Sequence, residues 1–114
     1  MDPKIIDQKQ PRAVVEDAAS KTFGDMAKVA VDIERSILVV GCAIHYQCRN
    51  VLIENGSHKD NIWGASVYPF AEQEKQIACI STSVNPREEN LSVEIESPEI
   101  QKRVRAIIQN LLLS

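Results

Sequence analysis

The chain has 114 residues, of which 44% are hydrophobic and 25% charged, so it has the composition of one ordinary globular domain rather than of a disordered protein. Its net charge is −3 and its basic residues are interspersed with acidic ones, which argues against a nucleic-acid binder that needs a basic face to displace counterions. The length predicts one domain over residues 1–114. No apolar run approaches the ~20 residues that cross a bilayer, so we expect no membrane partner.

The N-terminal segment is polar apart from Ile5 and Ile6, which predict a short edge strand. It lacks the apolar core of a signal peptide, so we expect the protein in the cytoplasm. The three cysteines, Cys42, Cys48 and Cys79, are odd in number and form no C-x-x-C pair. In that compartment they predict buried, reduced thiols rather than disulfides.

The first helix is predicted from Pro11 to Phe23, with proline in the first turn and Gly24 just after the end. A β-hairpin follows over 28–41, because apolar and other residues alternate before a polar interruption at 34–36. The continuous apolar run of Ile37–Val40 indicates a strand that is covered on both faces.

Residues 42–54 are ambiguous. We favour a strand that leads into a helix, because the spacing of Ile44, Cys48 and Leu52 is helical, over a bent pair of strands. A polar loop over 56–61 precedes a strand from Ile62 to Tyr68.

The next strand is predicted over 76–84, antiparallel to the one before it because the connection is short. In a later extended segment, Leu91, Val93 and Ile95 alternate with polar residues and predict one buried face.

The last helix, from Pro98 to about Leu113, has the clearest signals. Ser97 is a good N-cap, and an apolar stripe recurs at helical spacing. The elements together predict an α+β fold, in which a small antiparallel or mixed sheet of four to five strands is packed by an N-terminal helix and a C-terminal amphipathic helix, with the helices on one face.

Several short motifs resemble a family of short uncharacterised prokaryotic proteins with a domain of unknown function. They are F-G-D-M from Phe23, V-D-I-E from Val31, E-N-G-S from Glu54, W-G-x-x-x-Y-P from Trp63 and P-x-x-x-N-x-S from Pro86. The resemblance implies acidic residues after the matching His45, where this chain has Tyr-Gln-Cys-Arg, and an arginine where this chain has Asn85. It brings no activity or cofactor with it.

His45 is the strongest single candidate for catalysis, as a general base or a metal ligand near neutral pH. The more ordinary interpretation is a partly buried histidine that holds a backbone carbonyl. His45 with Cys48 is a weaker candidate for a base and nucleophile, and these two residues with Cys42 and His58 form an irregular zinc set.

A surface pocket is the second candidate site. Trp63 and Tyr68 would line it, with a polar rim that includes Ser57, His58, Asn85 and Asn90, and with His45 nearby. The ordinary interpretation is structural: Ser57 caps a loop, and the glycine after Trp63 marks a bulge or a close approach of backbone. The acidic residues of 88–96 are more simply a solvated face than a metal site.

No phosphate loop or dinucleotide motif is present, and we expect no cofactor and no metal. The function predicted first is a non-enzymatic binding or interaction domain that self-associates as a homo-oligomer through a sheet edge or a helix face. The alternative is a small enzyme or small-molecule-binding protein with a site around His45 and the Ser57–Trp63 loop. A third interpretation is a partner-dependent regulatory subunit.

Overall fold

A computed structural model describes residues 2–114. The strands are β1 (Lys4–Ile6), β2 (Ala27–Asp32), β3 (Ile37–Cys42), β4 (Ile62–Val67) and β5 (Ile77–Ala78), and the helices are α1 (Arg12–Lys21), α2 (His45–Glu54) and α3 (Pro98–Leu112). All pairings are antiparallel, in the order β1-β3-β2-β4-β5. The predicted α+β class is confirmed, and so is the antiparallel form of the sheet. Within 2–114, no helix combines the length and apolarity needed to cross a membrane.

The β2–β3 hairpin turns at Asp32. One oxygen of this buried carboxylate, Oδ1, accepts the backbone N–H groups of Glu34 at 2.9 Å and Arg35 at 3.1 Å. Such Asx contacts fix a tight turn without further strand pairing. Every residue of β3 is buried between its neighbours β1 and β2, which confirms the predicted interior strand.

One face of the sheet packs against α1 and α3 through a single apolar cluster that includes Val15, Leu38 and Ile108. The predicted start of α3 is confirmed, because Ser97 Oγ accepts the N–H of Ile100 at 3.2 Å and proline occupies the first turn. Burial of each large side chain of the α3 stripe contributes roughly 1.5–3 kcal/mol.

The opposite face packs against α2, through Cys48 and Leu52. The expectation that the helices lie on one face is therefore confirmed for α1 and α3 and wrong for α2. The second layer forms because β2 and β3 also carry apolar side chains, such as Ala30 and Val39, on this face of the sheet. Packing of α2 buries them. The predicted passage from strand to helix over 42–54 is confirmed, since Cys42 ends β3 and His45 begins α2.

The strand predicted over 76–84 is wrong beyond Ala78, where only an isolated bridge from Ile80 to Glu94 continues it. A longer β5 is blocked because the side chain of Asn85 occupies the edge of β4 at Gly64. The single buried face predicted for 91–96 is also wrong. Leu91 is 81% exposed, and only Ile95 is fully buried.

Candidate functional site

His45 begins α2 and is buried against the sheet. Its Nε2 lies 2.8 Å from the carbonyl oxygen of Ala65, which can only accept, so Nε2 carries the proton. Burial lowers the pKa of His45; the hydrogen bond to Ala65 opposes this effect and the nearby Lys28 adds to it. The geometry matches the ordinary interpretation of a histidine that holds a backbone carbonyl, and a catalytic role stays a prediction.

At Gly64 of β4, side chains from the start of α2 and from the loop after β5 lie close to the backbone of the strand. A Cβ placed on it would lie 2.5 Å from Ser81 Cβ and 3.2 Å from His45 Cδ2. Contacts below about 3.0 Å do not occur for real Cβ atoms, so only glycine fits without a shift. The sequence predicted a bulge or a close approach of backbone after Trp63. The pairing of β4 with β2 is regular at Gly64, and the close neighbours are side-chain atoms of Ser81 and His45.

Asn85 and Asn90 have buried side-chain amides that form hydrogen bonds with backbone groups outside regular strand pairing. Asn85 pairs with both backbone groups of Gly64 and also donates to Val93 O at 3.0 Å. Asn90 donates to the carbonyl oxygens of Ser92 at 2.9 Å and Glu94 at 3.0 Å. Asn85 thus satisfies the backbone groups of Gly64 that a longer β5 would otherwise have satisfied, whereas Asn90 satisfies carbonyl groups of its own loop.

Arg87 lies over Trp63, with its guanidinium 3.7 Å from the ring centroid. Its donors reach four carbonyl oxygens, those of Asp60, Ile62, Val84 and Asn85, at 2.6–3.3 Å. Burial lowers its pKa, and Glu89 and Asp60 oppose this effect. Across residues 2–114, no carboxylate comes within ion-pair distance of this guanidinium.

The remaining candidates lie elsewhere. Ser57 follows α2, and its Oγ accepts from Arg35 at 2.8 Å. Tyr68 follows β4, where its backbone N–H donates to Gln76 O at 2.7 Å. The structure thus brings His45, Asn85 and Asn90 together near Gly64, places Trp63 beside them under Arg87, and leaves Ser57 and Tyr68 apart. Their role as a ligand pocket stays a prediction.

A cleft of about 390 Å³ opens beside this cluster, between the first turn of α2, the 3₁₀ turn of Lys59–Asn61 and the loop over 83–89. This volume falls within the range of small-molecule sites. The lining residues are Tyr46, Arg49, Lys59, Asp60, Ser83, Val84, Pro86, Arg87, Glu88 and Glu89. Sequence reasoning missed Arg49 and Arg87, although the position of Arg87 directly after Pro86 in a motif was an available signal.

The cleft carries both signs of charge. The guanidinium of Arg49 lies 4.9 Å from the centroid of the Tyr46 ring. Among the described residues it makes a single hydrogen bond, to the side chain of Asn50, so most of its donors are unused. Glu88 and Glu89 form the tip of a tight turn, across which Arg87 and Asn90 exchange backbone hydrogen bonds of 2.8 and 3.0 Å. The cleft therefore presents arginine donors on the α2 wall and carboxylates on the facing turn.

Cys42 and Cys48 form a disulfide, with their Cα atoms 5.7 Å apart, and both residues are buried. The prediction of three reduced thiols is wrong for this pair, because the turn between β3 and α2 folds the two cysteines against each other. It is right for Cys79, a buried free thiol whose pKa burial raises.

The disulfide also removes the thiols needed for the His45–Cys48 nucleophile pair and for the irregular zinc set. His58 lies at the exposed 3₁₀ turn, where its Nδ1 accepts the backbone N–H of Asp60 at 3.1 Å. In the part of the chain described, no group of three or more His, Cys, Asp or Glu residues is placed to hold a metal ion.

The comparison with curated proteins and with solved structures gave no match. A family model described as "Protein of unknown function (DUF5674)" matches residues 4–111, nearly the whole chain. The chain belongs to this family of proteins of unknown function.

Proposed function

We propose that the chain is a non-enzymatic binding domain that holds a small charged ligand in the cleft beside α2. The observation that carries the proposal is Arg87, whose charge lines the cleft without a carboxylate in ion-pair contact among the described residues. A partly buried charge of this kind is stabilised by a counter-charge, which a ligand can supply. The cleft lies beside the start of α2 and the Lys59–Asn61 turn, and it is lined by none of the pocket residues that the sequence predicted, which are His45, Ser57, Trp63, Tyr68, Asn85 and Asn90.

Binding is favoured over catalysis because the reactive side chains nearby already hold the fold. His45 Nε2 contacts Ala65 O, and Cys48 is in a disulfide. Neither is paired as a base with a free nucleophile, which acyl or group transfer requires.

The ligand class that fits the cleft best is a small zwitterion such as a free amino acid. Its carboxylate would meet Arg49, whose donors are largely unused and which can bind a planar carboxylate through paired donors. The positive charge of Arg87 would add attraction, and the ammonium of the ligand would meet the Glu88–Glu89 turn. A pure anion would be repelled by the carboxylates of the cleft, and a pure cation by the arginines and Lys59.

Isothermal titration calorimetry of the full chain with a panel of free amino acids tests the proposal. Matched carboxylic acids without the amine and matched amines without the carboxylate serve as control ligands. We expect at least one amino acid to bind, and Arg49→Gln to weaken its binding about tenfold through loss of a charged hydrogen bond. The control Lys102→Gln removes an exposed cation on α3 and should leave the affinity unchanged. Absence of binding across the panel, or equal binding by Arg49→Gln, contradicts the proposed ligand.

The second proposed function is self-association, which the edge strand β1 favours. β1 pairs with β3 on one side alone, and Ile5 is 38% exposed on it. An unprotected strand edge can pair with the same strand of a second copy about a two-fold axis. Light scattering after size-exclusion chromatography should give a dimer that Ile5→Lys converts to a monomer. A wild-type monomer at high concentration contradicts this proposal.

A further inference from the structure

A covalent bond ties the start of α2 to the end of β3. Cys42 is the last residue of β3, and Cys48 lies on the inner side of α2. Ile44, at the N-cap position, makes no side-chain cap hydrogen bond. The first turn of α2, which begins at His45, contains no acidic residue. Two side chains accept backbone N–H groups here, Gln47 from Ala43 at 3.0 Å and Ser83 from Tyr46 at 3.1 Å. The disulfide adds a covalent restraint to these two hydrogen bonds.

The same site also suits the two reduced thiols. The sulfur of Cys42 lies 3.7 Å and that of Cys48 4.0 Å from the backbone carbonyl oxygen of Lys28. The pairing of β2 with β3 shifts register between Lys28 and Val29, beside these sulfurs. After reduction, a thiol S–H can donate to this carbonyl, so a buried thiol has an acceptor within reach.

We propose that Cys42 and Cys48 form a reversible dithiol–disulfide switch that controls the α2 wall of the cleft. Arg49 directly follows Cys48, and Tyr46 lies in the same first turns, so both cleft residues move with the segment that the disulfide restrains. The effect on ligand binding rests on the proposed function of the cleft, whereas the switch itself does not.

The chemistry is thiol–disulfide exchange with a small disulfide such as oxidised glutathione. One cysteine thiolate attacks the small disulfide, forms a mixed disulfide and releases one small thiol. The second cysteine thiolate then attacks the mixed disulfide, forms the Cys42–Cys48 bond and releases the second small thiol. Two protons leave the protein, and its two electrons reduce the small disulfide. Reduced glutathione drives the reverse reaction.

Access to the sulfurs requires the start of α2 to open, because Cys42 and Cys48 are both fully buried. The side chains of Ala43, Ile44 and Tyr46 are exposed, so opening of this turn chiefly breaks the contact of the buried His45 with Ala65 O and the hydrogen bond from the Tyr46 N–H to Ser83 Oγ. Cys79 lies in the cluster on the other face of the sheet and serves as an internal control.

The test equilibrates the full chain with glutathione buffers of increasing reducing strength. Alkylation and peptide mass spectrometry then count the free thiols, and hydrogen exchange is measured on the same samples. We expect Cys42 and Cys48 to become alkylated together without denaturant. We also expect amides 46–49 to exchange about tenfold faster in the reduced chain, while β2 and β3 are unchanged.

A pair that resists reduced glutathione until the chain unfolds overturns the proposal, and so does reduction without a change in amides 46–49. The double variant Cys42→Ser with Cys48→Ser should reproduce the reduced exchange pattern and lower Tm by about 10 °C relative to the oxidised chain. Neither readout needs a ligand. A chain that switches but binds no amino acid therefore contradicts the proposed ligand alone, and one that binds but does not switch contradicts this inference alone.

Discussion

The side chain of Asn85 pairs with the backbone of Gly64 as a neighbouring strand would. The N–H of Gly64 donates to Oδ1 at 2.8 Å, and Nδ2 donates to the carbonyl oxygen of Gly64 at 3.0 Å. Both groups are buried, so the free energy of unfolding depends on this one amide.

Asn85→Ala should therefore lower the free energy of unfolding by about 2–4 kcal/mol, because it leaves a buried donor and buried acceptors without partners. Asn110→Ala, at an exposed position on α3, is the control and should change it by less than about 0.5 kcal/mol. Urea denaturation measures both. A small effect of Asn85→Ala would show that water replaces the amide at no cost.

Gly64→Ala should lower the free energy of unfolding by more than the change in backbone preference alone would. The new Cβ meets Ser81 Cβ at 2.5 Å, so Ser81 or the strand must shift. Gly24→Ala is the matched comparison: Gly24 has φ +92 and no atom near the new Cβ, so backbone strain alone should cost about 1–2 kcal/mol. Urea denaturation should rank Gly64→Ala as the costlier substitution, and the reverse order contradicts the close approach.

The buried His45 makes stability depend on pH. Its folded pKa lies below the ordinary value of 6.5, so near pH 6 the unfolded chain binds more protons than the folded one. The contribution of His45 is fully present above pH 6.5 and is lost as the pH falls from there toward the lowered folded pKa.

His45→Gln should flatten this part of the stability curve, because glutamine does not titrate. Urea denaturation at several pH values measures it. Asn110→Ala, at an exposed position on α3, is the control and should leave the wild-type pH dependence in place. An unchanged curve in His45→Gln would show that this histidine is not the group responsible.

Arg87→Lys should lower the free energy of unfolding by about 2–3 kcal/mol. A lysine cannot reach four carbonyl oxygens at once, and its ammonium does not stack flat on Trp63. Arg105→Lys, which affects one exposed hydrogen bond to Ile77 O, is the control. Equal effects of the two substitutions on the denaturation midpoint would contradict the role of Arg87 in anchoring its loop.

The sequence predicted elements whose signals are local. Ser97 and Pro98 mark the start of α3 within two residues, and the β2–β3 hairpin follows from alternation and a polar turn. β5 was overpredicted because its limit is set by Asn85, a residue that acts on Gly64 from 21 positions away. No periodicity encodes a contact of that kind.

The site was less predictable than the fold. The predicted loop over 57–63 contributes Lys59 and Asp60 to the cleft, but His45 does not line it, and Arg49 and Arg87 come from separate segments that meet only in the folded chain. The Cys42–Cys48 bond depends on the turn between β3 and α2, and a separation of six residues matches no common cysteine motif.

The central claim is that a small zwitterion binds in the cleft between α2 and the loop over 83–89. Nuclear magnetic resonance titration of the ¹⁵N-labelled chain with the tightest free amino acid of the calorimetric panel tests it most directly. We predict saturable shifts of the backbone amides of Tyr46, Ser83 and Glu89, with α3 unchanged. Saturable shifts that cluster elsewhere, or no saturable shift at all, would contradict the claim.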